Sequence, residues 1–165
     1  MHGQGCLTFN DGALYEGEFV NNKRSGQGRL TDSDGTVYDG EWKDNKEHGQ
    51  GCETYRNKDK YEGEYVNGNR QGRGCYTTSD GDIYNGDWKE GERQGQGCIT
   101  YSDGARYEGE WKNGKKNGQG CFTASDGAVY EGEFMDGEQH GRGRQINSRG
   151  ARLDGESTNV AQSPK

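Results

Sequence analysis

Five cysteines, three histidines and 28 carboxylates are the groups in this 165-residue chain that could do chemistry. Cys6, Cys52, Cys75, Cys98 and Cys121 each follow a Gly-x-Gly triplet, and no Cys-x-x-Cys pair occurs. A zinc site would need ligands converging to ~2.3 Å from one metal, and this spacing does not provide them. His2, His48 and His140 each stand just before a Gly-x-Gly and gain no nucleophile or carboxylate that other copies of the motif lack. Repetition explains them better than catalysis. Gly-Gln-Gly has neither the third glycine of a dinucleotide fingerprint nor the Gly-Lys-Ser/Thr of a phosphate loop. Asp32-Ser33-Asp34-Gly35 lacks the ligand series of a calcium loop and reads as a turn. These residues predict no catalytic group, metal or cofactor.

The elements that carry them repeat. Tyr-x-Gly-x-aromatic begins at Tyr15, Tyr38, Tyr61, Tyr84, Tyr107 and Tyr130, always 23 residues apart, and ends on Phe19, Trp42, Tyr65, Trp88, Trp111 and Phe134. A degenerate seventh copy runs from Leu153 to Ser157, and Gly-x-Gly recurs with the same step from Gly3 to Gly141. A fixed period of this length decides the architecture before any local assignment. Tyr, Gly and the aromatic at i, i+2 and i+4 share one face of a strand, whereas a helix would carry a central glycine in every copy. The run after Gly-x-Gly is a second strand ending at a turn such as Asp103-Gly104. Lys58-Asp59 is the exception in the third copy. The other connection, Asn113–Asn117 for example, is predicted as a loop of about five residues.

Composition agrees with a repeat and excludes other classes. Only 25% of the chain is hydrophobic, yet it holds 31 Gly, 10 Tyr, 3 Trp and a single Pro. Disordered linkers are seldom so rich in aromatics. Net charge is -7, which disfavours nucleic acid as a partner. No stretch approaches the ~18 apolar residues of a membrane helix, and Met1–Gly5 lacks the regions of a signal peptide. A cytoplasmic location is expected.

The strand motif, polar loop, Gly-x-Gly and Asp-Gly turn at this period resemble the MORN (membrane occupation and recognition nexus) repeat over residues 3 to about 155, although the last copy has lost both aromatics. The resemblance implies an elongated antiparallel sheet that binds proteins, sometimes a second copy of itself, and sometimes lipid headgroups. The expected fold is therefore all-β: an elongated single-layer antiparallel β-sheet, a hairpin meander or solenoid of 23-residue repeats over 1–155, with a disordered tail at 156–165. A homodimer through the sheet ends, a cytoskeletal, ciliary or flagellar place, and a place at the periphery of a membrane follow from the resemblance alone.

With period two, one face carries Tyr38, Trp42, Tyr61, Tyr65, Tyr84, Trp88, Tyr107, Trp111, Tyr130 and Phe134. The second strands add Leu7, Leu30, Glu53, Tyr76, Ile99 and Phe122 in phase. In a single layer this stripe is expected to be partly wet, and a contiguous exposed apolar stripe usually marks a partner site. The sequence thus predicts a non-enzymatic scaffold that takes a helix or extended peptide on Tyr38, Trp42, Tyr61, Tyr65, Tyr76, Tyr84, Trp88, Ile99, Tyr107, Trp111, Phe122, Tyr130 and Phe134. The opposite face carries carboxylates such as Glu18, Glu41, Glu64, Asp87, Glu110 and Glu133, read as a solvated surface. The alternative is a membrane adaptor whose loop residues Lys23, Arg24, Lys46, Arg70, Arg93, Lys115 and Lys116 touch anionic lipid. A second alternative is the regulatory repeat region of a larger enzyme such as a lipid kinase.

Overall fold

A computed structural model describes residues 1–157, and every element in it is a strand. The chain divides into two compact units, Met1–Gly81 with Trp88–Gly91, and Asp82–Asp87 with Glu92 onward. The first holds β1 Gly3–Thr8, β2 Leu14–Val20, β3 Lys23–Thr31, β4 Val37–Lys43, β5 Lys46–Thr54, β6 Lys60–Val66 and β7 Asn69–Thr77. β8, Ile83–Lys89, contributes residues to both units. The second holds β9 Glu92–Thr100, β10 Arg106–Lys112, β11 Lys115–Thr123, β12 Val129–Met135, β13 Glu138–Ile146 and β14 Arg152–Ser157. Within each unit these strands pair antiparallel with their neighbours in sequence, so the predicted all-β antiparallel meander is the fold. Of the tail expected over 156–165, Glu156 and Ser157 belong to β14, and the rest lies outside the described residues.

One connection differs from expectation. The polar link between a first and a second strand is a two-residue turn with both residues at positive φ, as at Asn113 (50°) and Gly114 (75°) or Asp44 (50°) and Asn45 (72°). This is the hairpin geometry whose twist matches that of the strands. Residues 115–117, predicted as loop, consequently open β11. The second strands are nine residues long against seven for the first, and the excess is absorbed at a bulge. Gly109 pairs with Gly120 and Trp111 with Lys116, leaving Asn117–Gln119 opposite Glu110 alone. The bulge frees the Gln119 amide, and Glu110 Oε1 accepts it at 3.0 Å. Glu18, Glu41 and Asp87 do the same for Gln27, Gln50 and Gln96. These carboxylates, read as a solvated ladder, are ladder-completing acceptors.

The other turns follow the sequence more closely. At Tyr101–Ala105 the Tyr101 amide donates to the Ala105 carbonyl, Asp103 Oδ1 accepts the Ala105 amide at 2.9 Å, and Gly104 takes φ +90°. In the third repeat Lys58 adopts φ +74° in the place of that glycine.

The cysteines are free, and the register shows why. Cys52 and Cys75 both pair with Glu62, and Cys98 and Cys121 both pair with Glu108, so a carboxylate strand separates each two thiols. All five are expected to react with a thiol reagent after unfolding without reductant. In the folded chain Cys6, exposed on a terminal strand, should react first. Cys121 should be slowest, since burial and then Glu131 push its thiol up. Protected pairs in fresh protein would contradict the register.

Candidate functional site

The aromatic face is built from the first strands outward. Each tyrosine lies flat over two glycines, one on its own strand and one across the ladder; a Cβ added to Gly28 would stand 2.2 Å from the Tyr15 hydroxyl oxygen. The hydroxyl turns down to the backbone: Tyr38 donates to the Glu41 carbonyl at 3.0 Å, Tyr61 to Glu64 at 3.2 Å, Tyr84 to Asp87 at 3.1 Å, Tyr107 to Glu110 at 2.9 Å and Tyr130 to Glu133 at 3.1 Å. The fifth-position rings stand edge-on between these tyrosines. In the first unit Tyr38 meets Trp42 and Tyr65 at 5.1 Å, and Tyr61 meets Trp88 at 5.1 Å. In the second, Tyr107 meets Trp111 at 5.4 Å and Phe134 at 4.8 Å. Trp42, Trp88 and Trp111 donate their indole N–H to the carbonyls of Gly28, Gly74 and Gly97. Edge-to-face pairs with satisfied polar tips are how a chain poor in aliphatics makes a core.

That core is dry, in contrast to the partly wet stripe expected from a single layer. Tyr38, Trp42, Tyr61, Tyr65, Tyr84, Trp88, Tyr107, Trp111, Tyr130 and Phe134 are at most 5% exposed, and Ile99 is 6% exposed. Burial pushes the phenols of Tyr61 and Tyr107 up to about 12. Of the residues predicted to bind, Tyr76 and Phe122 are half-buried. Phe9 and Tyr55 in the first unit and Tyr101 in the second are half-buried as well, and sequence reasoning missed them.

What covers the rings is a row of cations. The cross-strand partner of each fifth-position aromatic lies on the same face: Phe19 pairs with Arg24, Tyr65 with Arg70 and Trp111 with Lys116. The Arg24 guanidinium lies 4.2 Å from the Trp42 ring centre, and Arg70 lies 5.0 to 5.4 Å from Tyr55, Tyr61, Tyr76 and Trp88. In the second unit Arg93 covers Tyr84 and Trp111, and Lys116 lies 4.8 Å from Phe122. Four of the seven basic residues assigned to a lipid-touching loop edge thus face the aromatic layer, because the two-residue turn puts them on strands in phase with it. Lys23, Lys46 and Lys115 remain exposed, and Lys23 and Lys115 pair with Asp44 and Asp136 at 2.8 and 3.4 Å.

The MORN repeat sequence model matches residues 1–14, 15–37, 38–60, 61–83, 84–106, 107–129 and 130–152 in unbroken succession. The chain belongs to the MORN repeat family. No curated protein sequence matches this MORN chain. Among solved structures, the SAS-4 (dCPAP) TCP domain of Drosophila melanogaster is similar at 9% identity, with 94% of this chain and 85% of that one covered and a TM-score of 0.55. The TCP10 domain of Danio rerio CPAP aligns at 11% identity over 94% and 90%, with a TM-score of 0.38. At 9% identity the SAS-4 likeness speaks for the sheet architecture alone.

The third MORN repeat breaks the pattern of the face. Glu53 stands where Leu7, Leu30 and Ile99 stand elsewhere. Its carboxylate accepts the hydroxyls of Tyr55 and Tyr65, the latter at 3.0 Å, and lies 3.9 Å from Arg70, which also donates to the Tyr55 hydroxyl. Glu47 occupies the cation-row position opposite Trp42. Burial, with Glu53 and Asp32 adding to it, raises its carboxyl above the usual range. A raised carboxyl penalises folding only while it is ionised, so the penalty is present at neutral pH and absent once the pH falls below the ordinary glutamate value. Glu47→Gln is expected to melt above the parent at neutral pH and to lose that advantage as the pH falls into the acid range. An advantage independent of pH would refute this account.

Among the described residues no group of three or more His, Cys, Asp or Glu could hold a metal, and no helix is long and apolar enough to cross a membrane.

Proposed function

We propose that this chain is a non-enzymatic MORN scaffold that takes a helix or extended segment of a protein partner on its aromatic face, at a cytoskeletal or membrane-associated structure. The observation that carries the reading is the second aromatic row. Phe9, Tyr55 and Tyr76 in the first unit, and Tyr101 and Phe122 in the second, keep exposed surface although the core beneath them is already closed. Aromatic rings bordered by arginine are the composition of interface hot spots. The similar SAS-4 TCP domain is described in complex with a proline-rich motif of Ana2. Proline-rich segments are pre-extended and dock on aromatic-lined surfaces. Lipid contact is disfavoured, since most of the basic residues invoked for it are occupied by rings or carboxylates.

The test compares two variants. Tyr101→Thr with Phe122→Thr removes aromatic surface while keeping strand-compatible side chains. Lys23→Gln, Lys46→Gln and Lys115→Gln removes the exposed basic edge. Both should keep the parent's circular dichroism. The Thr variant is expected to lose the parent's cellular protein partner by at least about tenfold, and the Gln variant to retain it. If the Gln variant alone loses its location, and vesicles containing phosphatidylserine float the parent chain, the membrane reading replaces this one.

A further inference from the structure

The cation row of the first unit has a gap. Arg24 and Arg70 each lie over rings, but the position between them is Glu47. A carboxylate is the wrong charge for that place, because ring faces are electron-rich and attract cations. It is also half-buried and forms no salt bridge among the described residues. Arg24 is engaged elsewhere, donating to the Asn45 carbonyl at 2.7 Å, and Arg70 is held by Glu53 and the Tyr55 hydroxyl. Glu47 borders a cleft of about 360 Å³ whose other walls include Glu53, Tyr55, Tyr65, Asn69 and Arg70. Arg24 still attracts the Glu47 carboxylate from a distance, but no ion pair among the described residues closes on it. The cleft therefore combines aromatic walls, room for a side chain and a carboxylate outside contact with its nearest cation. A hard metal ion would need more oxygen ligands than converge here. A single organic cation needs only the carboxylate and the rings.

We propose that this cleft receives the side chain of a lysine or arginine from the bound partner segment, its charge paired with Glu47 and its stem lying against Tyr55. The ligand then supplies the cation that Arg24 and Arg70 supply at the neighbouring positions. The inference rests on the reading that this face binds a protein segment, and it adds which residue type that segment must carry. Glu53 and Asp32 add to the negative field at Glu47, against the opposing pull of Arg24.

A library of displayed short random peptides, selected against the full chain and in parallel against Glu47→Arg, tests both levels. Glu47→Arg fills the gap from within the chain, as the neighbouring repeats do. Glu47→Gln, nearly isosteric, serves as a second variant if arginine disturbs the fold. Peptides selected by the parent should share a Lys or Arg that those selected by Glu47→Arg lack. Replacing that residue by glutamine in the best peptide should weaken binding to the parent about tenfold, and Glu47→Gln should bind the unaltered peptide several-fold more weakly. Selected peptides that tolerate glutamine at every basic position would overturn the cleft assignment and leave a peptide-binding face standing. A library from which neither chain enriches any peptide would overturn both.

Discussion

Alanine at Gly120 is expected to destabilise the chain by ~3 kcal/mol, or roughly 10 °C in Tm, from the addition of one methyl group. The new Cβ would stand 2.5 Å from Tyr107 Cε2, 2.6 Å from its hydroxyl oxygen and 2.7 Å from Cζ. The ring has nowhere to go. It is 0% exposed, its hydroxyl donates to the Glu110 carbonyl at 2.9 Å, Trp111 and Phe134 hold it edge-on, and Lys116 lies 5.1 Å above it. The backbone of β11 must therefore move away from β10, where Gly109 and Gly120 face each other. Gly104→Ala is the control, since that glycine sits at a turn with φ +90° and nothing within 4 Å of the added Cβ. Its cost is backbone strain alone, about 1 kcal/mol. Pairing Gly120→Ala with Tyr107→Leu should cost less than the sum of the two changes, because the collision is gone. Urea denaturation of the four variants decides the matter. A Gly120 effect no larger than that of Gly104 would mean that the glycines serve the turns and not the rings.

Strand identity, phase and antiparallel order are readable in the sequence because each is set by spacing. Tyr15 pairs with Leu30 and Tyr107 with Phe122, as the two-residue alternation requires. The depth of the tyrosines is not readable from alternation, which assigns a side to a residue and says nothing of what lies over it. Here the cover comes from Arg24, Arg70, Arg93 and Lys116, whose place depends on whether the preceding turn has two residues or five. Turn length is legible in the sequence at some copies: Asn67-Gly68 and Asn113-Gly114 are strong two-residue turn signals. A two-residue turn at Asn113-Gly114 makes Trp111 and Lys116 cross-strand neighbours and turns the basic edge toward the rings. The role of Glu110 and its counterparts lay deeper, since it exists only once the bulge frees an amide. Glu53 is legible as a departure among the in-phase positions, whereas the place of Glu47 opposite Trp42 follows only from the turn and register, and the significance of both depends on which cations and hydroxyls surround them.

Arg70→Met is the second substitution expected to have a large effect, and its size separates two roles of the cation row. Methionine keeps apolar contact with the rings while removing the charge. If the guanidinium contributed only through the ring faces, the loss would be about 1 kcal/mol, the value expected for Arg93→Met, where the cation covers Tyr84 and Trp111. Arg70 has a further partner in Glu53, and both side chains are less than a quarter exposed. Removing it leaves a half-buried carboxylate held, among the described residues, by the hydroxyls of Tyr55 and Tyr65, so the expected loss rises to ~2–3 kcal/mol. Glu53→Leu introduces the residue that the second repeat carries as Leu30, which is buried at 9% exposure. Combined with Arg70→Met it should recover most of the loss, because an apolar pair replaces a broken polar one. Equal losses for Arg70→Met and Arg93→Met, with no recovery in the double variant, would show that Glu53 is solvated well enough to do without its arginine. In that case the third repeat's polar network would be a surface feature and not a support of the aromatic face.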